Sequence, residues 1–257
     1  MAITAAQVKE LRELTGISMM ECKKALVETD GDIQTAVDVL RKRGLAKAAK
    51  NADRATSEGK IKVEIRDGKA YVLAISCETD FVAINEDFGK IVDSMMEALI
   101  AGDTEKLEAI RTEAVLKMGE NIVIKTTEVI EGAHFGAYVH SNNKQAAIIV
   151  AKDSSKSEDE LKQVAMHVIA SNPKYLSPED IDSEIVSKEK EIYLEQMKND
   201  PKMEGKPEMV LEKIMEGKIN KCKEDVSLLT QAFVINPDIK VKDFVGDSIV
   251  SFKSFSV

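Results

Sequence analysis

The side chains of this sequence able to do chemistry are few. Cys77 and Asp80 stand three residues apart, with Thr79 between them and Phe81 and Val82 directly after. A thiol, a carboxylate and one of the three histidines, His134, His140 or His167, would be the parts of an activated nucleophile. Nothing in the spacing brings an imidazole to the thiol, and Cys77 follows an apolar run that reads as a buried strand, so no catalytic residue is assigned and the chain is not read as an enzyme. The three histidines and the three cysteines, Cys22, Cys77 and Cys222, lack metal-ligand spacing, so neither a metal nor another cofactor is expected. No Gly-x-x-x-x-Gly-Lys phosphate loop is present either.

What remains is binding. Thr79-Asp80-Phe81-Val82 falls where a predicted strand ends and a helix soon begins, a short loop aimed by the elements that flank it. There Asp80 can accept hydrogen bonds from another molecule and Phe81 can offer it a large apolar contact. The same residues also read as a helix cap followed by a core Phe, and taken alone they leave both readings open. Met19, Met20 and Lys23 open a predicted helix. Adaptable thioethers beside a cation suit a docking face, with one of the two Met expected in the core. His167 lies beside the apolar stripe of its helix, where a structural role and a contact role are both available.

The elements that position these residues follow from period and punctuation. Thr4 and Gln7 have capping-box spacing ahead of Val8, Leu11 and Leu14. Gly16 breaks that helix. Ser18 and Glu21 repeat the spacing ahead of Cys22, Ala25 and Leu26. Asp32 caps a third helix through Ile33, Ala36, Val37 and Leu40, which Gly44 is expected to stop. Residues 45–59 read as a linker, helical in part. Alternation then sets in at Ile61, Val63 and Ile65, Asp67-Gly68 marks a hairpin, and Tyr71 to Ile75 returns. Helices are predicted near 85–101, with Phe88, Ile91, Met95 and Leu99 on one side, and near 104–118. Strands are predicted near 122–130, 134–140 and 145–151. Ser157 and Glu160 open a helix that carries Leu161, Val164 and Val168 inward. Charged stretches at 183–200 and 206–225 predict an antiparallel helical hairpin, with Ile185 and Ile192 one heptad apart on the first helix and Leu211 and Ile214 forming a short stripe on the second. Residues 232–236 and 248–257 read as closing strands. The fold class is α+β.

The totals bound the function. With 257 residues and a net charge of -9, the chain can bury real cores, and its acidic balance argues against a general nucleic-acid binder while leaving room for a local basic patch. Three unpaired-looking cysteines fit reduced thiols in a cytoplasm. The polar N-terminus shows no secretory signal, and no apolar run is long enough to span a bilayer.

Two long stretches resemble the elongation factor Ts family: LRELTGISMMECKKAL, Leu11 to Leu26, and VLAISCETDFVA, Val72 to Ala83. Weaker matches follow in order at Gly119-Glu120-Asn121-Ile122, Tyr138 with His140, Ala165-Met166-His167-Val168 and Gln231-Ala232-Phe233-Val234, so the resemblance covers essentially the whole chain. Ile84 departs from the polar residue usual there.

The resemblance implies a three-helix N-terminal docking domain similar to ubiquitin-associated domains over residues 1–54. It implies a core of two related α+β subdomains, one at 55–140 and one at 141–182 with 226–257, and an inserted helical hairpin at 183–225. The C-terminal helical module of some members is expected to be missing, since the last predicted strand runs to Val257. The implied activity is guanine nucleotide exchange on elongation factor Tu, in its GDP-bound and nucleotide-free forms and in a complex for which 2:2 is one allowed stoichiometry. Thr79, Asp80, Phe81 and Val82 would form the loop that intrudes near the partner's Mg²⁺ and dislodges it. Met19, Met20 and Lys23 would dock on the partner's nucleotide-binding domain, and His167 would meet its third domain. The rival expectation is a binding adaptor without exchange activity, whose helical bundle recognises a ubiquitin-like partner or another helix.

Overall fold

The computed structural model describes residues 3–199, 203 and 206–257. The chain forms two compact units, Met1–Glu131 with Ser141–Gln145 and Phe255–Val257, and Gly132–His140 with Ala146–Ser254.

The first unit begins with three helices, α1 (Ala5–Thr15), α2 (Met19–Glu28) and α3 (Ile33–Asn51). Each starts where a short polar side chain satisfies an orphan backbone donor: Thr4 accepts from Gln7 in a reciprocal capping box, Ser18 from Glu21 and Asp32 from Thr35. Their core is Val8, Leu11, Ile17, Cys22, Ala25, Leu26, Ala36 and Leu40. Leu14, expected on the inward face, is exposed. α1 ends one residue later, and the apolar stripe has by then rotated out of the bundle.

The third helix corrects the expected stop at Gly44. It continues seven residues further, through the first half of what reads as a linker. Gly44 marks a crossing instead. A Cβ there would lie 3.3 Å from the Thr112 carbonyl oxygen and 3.4 Å from its methyl group, so the missing side chain lets α3 approach α6 (Thr104–Met118). Leu116 of α6 joins the bundle core in return, and Ala48 of α3 packs into the neighbouring core.

That neighbouring core lies under an antiparallel sheet in the order β1 (Glu58–Arg66), β2 (Lys69–Cys77), β3 (Val123–Glu131). Asp67 and Gly68 both have positive φ, 51° and 71°, as the tight turn joining β1 to β2 requires. Leu73, Ile75 and Cys77 of β2 face Phe88, Val92, Met95 and Met96 of α5 (Glu86–Ile100), and Leu107, Ala114 and Val115 of α6 complete the layer. Both predicted helices fall within one residue of expectation. A four-residue helix, α4 (Asp80–Ala83), lies between β2 and α5.

The second unit is built on another three-stranded sheet, ordered β4 (His134–Val139), β5 (Gln145–Ala151), β8 (Ile249–Ser256). α7 (Glu158–Ser171) opens with the predicted Ser157–Glu160 capping box and buries Leu161, Val164, Ala165 and Val168 against Ala147, Ile149 and Ala151. The expected strand at 232–236 is instead a small hairpin, β6 (Ala232–Phe233) with β7 (Asn236–Lys240), followed by α10 (Val241–Val245).

The charged stretches fold as α8 (Ser183–Lys198) and α9 (Glu208–Val226). Lys218 lies over the Tyr193 ring at 5.6 Å, and Tyr175 pairs with Ser227 at the base, so α9 returns alongside α8. The predicted heptad pair misses the contact: Ile185 and Ile192 are exposed, while Met197 and Met215 are buried. Residues 200–202 and 204–205 of the predicted hairpin lie outside the described residues.

Candidate functional site

The loop after β2 is built from the backbone outward. Cys77, the last residue of the strand, is fully buried. Its thiol donates to the Thr79 carbonyl at 3.3 Å. Burial, and after it the carboxylates of Glu120 and Glu58, push that thiol up to about 12. It is a protonated core residue, the opposite of an activated nucleophile.

Thr79, in extended conformation, is the N-cap of α4, and its hydroxyl accepts from Val82 N at 3.4 Å. Asp80, which could have been the cap, is the first helical residue, and its carboxylate accepts from the adjacent Phe81 N at 2.9 Å. Ala83 N and Ile84 N close the single turn onto the Thr79 and Asp80 carbonyls. Asn85 then caps α5 by accepting from Asp87 and Phe88. Two consecutive caps thus fix a loop of minimal length between a sheet and a long helix.

The outward side of this turn is apolar. Phe81 is 78% exposed and Ile84, one helical turn on, is 77% exposed. The reading of Phe81 as a core residue is thereby excluded: Ala83 is the residue of this turn that enters the core, with Val82 packed beside it. Phe81 and Ile84 together leave two large apolar side chains in water on a capped, hydrogen-bonded turn.

The sequence gives no hint of what pins this turn from below. Glu120, in the bend between α6 and β3, reaches across 42 positions of chain. One of its carboxylate oxygens accepts from Glu78 N and Thr79 N, both at 3.0 Å, and the other from the Thr79 hydroxyl at 2.5 Å. Asn121 continues the network. Its backbone N donates to the Glu78 carboxylate at 2.6 Å, and its side-chain amide donates to the carbonyls of Ala52 and Arg54 at 3.3 and 2.9 Å. Both residues belong to the Gly119-Glu120-Asn121-Ile122 match, which carried no assigned role.

The other candidates separate. Met19 and Met20 are both exposed, 46% and 64%, which corrects the expectation that one of them is core; Cys22, Ala25 and Leu26 fill the inward face instead. Lys23 shares the exposed face. Arg43 of α3 braces this helix through Glu21 at 3.2 Å and Glu28 at 2.5 Å. His167 is fully buried. Its Nδ1 accepts from Val234 N at 3.2 Å, which leaves the proton on Nε2 to be donated to Gln231 Oε1 at 2.8 Å. Burial lowers its pKa, and the hydrogen bond to Gln231 opposes that shift. The ring supports the β6–β7 turn, on which Val234 and Ile235 are exposed, and Met166 beside it is exposed as well. Among the described residues no group of His, Cys, Asp and Glu could hold a metal ion, and no helix is long and apolar enough to cross a membrane.

The comparisons with known proteins agree with one another. The family model described as Elongation factor TS matches residues 78–257. An elongation factor Ts of Teredinibacter turnerae (strain ATCC 39867 / T7901) is 46% identical over an alignment of 272 residues, covering 100% of this chain and 91% of that protein. The chain belongs to the elongation factor Ts family. Membership places it among the translation elongation factors. The matched segment opens at Glu78, so the turn bearing Phe81 lies inside it together with Glu120 and Asn121, while Ala52 and Arg54, the partners of Asn121, precede it.

Proposed function

We propose that this chain is a guanine nucleotide exchange factor that binds elongation factor Tu carrying GDP, displaces its Mg²⁺ and promotes GDP release. The observation that carries the reading is the pairing of a rigidly capped turn with a Phe left 78% exposed at its tip. Exchange needs no catalytic side chain. It needs binding energy delivered preferentially to the state in which nucleotide contacts are broken, and by linkage the factor weakens GDP binding by the same ratio that GDP weakens binding of the factor.

In this account Phe81 enters the partner near the Mg²⁺ site, Asp80 accepts hydrogen bonds there, and Thr79 and Val82 hold the turn in shape. The three-helix domain, residues 1–54, docks through Met19, Met20 and Lys23. The core at 55–140, 141–182 and 226–257 presents the Phe81 turn and the β6–β7 turn. His167 contributes by fixing the backbone of Val234, whose exposed side chain makes the contact on the partner's third domain. The hairpin at 183–225 is a further arm, and a 2:2 complex is compatible with contacts spread this way. No residue of the chain acts as an enzyme's catalytic group.

The test is stopped-flow release of a fluorescent GDP from elongation factor Tu. Release accelerated in proportion to added protein, up to a plateau, supports exchange. Binding with an unchanged release rate at saturation would make the chain an adaptor.

A further inference from the structure

We propose that Glu120 is the positioning residue of the exchange turn, and that the Glu120–Asn121 bend locks the end of α3 and the Phe81 turn into one rigid piece; this rests on the exchange reading above. Three donors converge on the one carboxylate, and they belong to the two residues immediately before Asp80-Phe81. Backbone donors to an ionised carboxylate make strong, directional bonds, and those at Glu78 and Thr79 fix the backbone entering α4. Thr79 then passes the constraint on, because its hydroxyl donates to Glu120 while accepting from Val82 N. Val82 flanks Phe81, so the backbone that carries the ring is held on both sides.

The second half of the bend reaches the helical bundle. Asn121 is 2% exposed and spends its side-chain amide on Ala52 and Arg54, directly after α3. Arg54 in turn pairs with Glu78 at 3.3 Å. The end of the bundle's last helix and the intruding turn are thus tied to one bend, and the bundle that carries the docking face is coupled to the turn through α3. Binding energy gained at the bundle therefore reaches Phe81 without loss to loop motion, which is how remote contacts are made to act at a reacting centre.

Two variants separate this from a general loss of structure. Glu120→Ala removes every acceptor. Glu120→Gln keeps an oxygen for the two backbone donors, and its amide can donate to the Thr79 hydroxyl. The experiment measures amide hydrogen exchange of the free chain, with GDP release from elongation factor Tu across a range of protein concentrations. For Glu120→Ala, the amides of Glu78, Thr79 and Val82 should exchange about tenfold faster or more, with those inside α5 unchanged. The maximal release rate should fall about 10- to 100-fold, as misplacement of a working group by about 1 Å does. The half-saturating concentration should move less, because Met19 and Met20 are untouched. Glu120→Gln should recover most of the rate.

Unchanged exchange at Glu78 and Thr79 in Glu120→Ala would overturn the proposal, as would a full maximal rate despite faster amides. If the wild-type chain released no GDP, the exchange reading would fail by itself. The amide data would still decide whether Glu120 holds the turn.

Discussion

Replacing Phe81 by Ala separates a residue that supports the fold from one that acts on a partner. In the free chain only about a fifth of the side chain is covered, since it is 78% exposed. Full burial of a Phe is worth about 1.5–3 kcal/mol, so truncation should cost the free protein less than about 0.7 kcal/mol. The remaining surface becomes available on binding. Covering it would supply about 1–2.5 kcal/mol, or roughly 5- to 60-fold in an equilibrium. If that energy is gained only in the opened state of elongation factor Tu, the maximal rate of GDP release should fall by about that factor, while binding to the GDP-loaded partner is nearly preserved. Thermal unfolding of the variant and stopped-flow release at saturating protein make the comparison. A wild-type release rate together with wild-type stability would refute the reasoning, because the exposed ring would then have no function in exchange.

Met19→Glu with Met20→Glu alters two exposed side chains without touching the bundle core, so melting should be unaffected while the protein concentration for half-maximal GDP release rises about tenfold or more. His167 gives a pH signature. Its folded pKa is lowered by burial, so the unfolded chain takes up the proton more readily than the folded one. Stability is therefore full above the unfolded value of about 6.5 and is lost as pH falls through it. Unfolding followed between pH 7.5 and 5.5 should show that loss in the wild type and a flatter profile in His167→Gln. Equal slopes would show that the imidazole does not titrate as its surroundings require.

Local signals in the sequence placed most of the elements. Thr4, Ser18, Asp32 and Ser157 cap the helices they were expected to cap, and Asp67-Gly68 makes the turn its residue types demand. What escaped were decisions made by tertiary contacts. A glycine within a helical pattern reads as a stop, yet Gly44 is mid-helix because Thr112 lies against it. A residue next to an apolar stripe can face either way, and His167 went inward because Gln231 and Val234 N offered it both a donor and an acceptor. The heptad spacing of Ile185 and Ile192 predicted a seam that Met197 and Met215 mark instead. The candidate site was half legible. The Thr79–Val82 motif marks the tip, but nothing local distinguishes Glu120 from any other surface acid, since its partners are 41 and 42 residues away.

The central claim is that the chain binds a nucleotide-free shape of elongation factor Tu in preference to the GDP-filled one. Titrating the protein against both forms, at one salt concentration and temperature, tests it without any kinetic model. The account predicts tighter binding to the empty form by about tenfold or more. Equal dissociation constants would contradict it, however closely the chain matches its relatives.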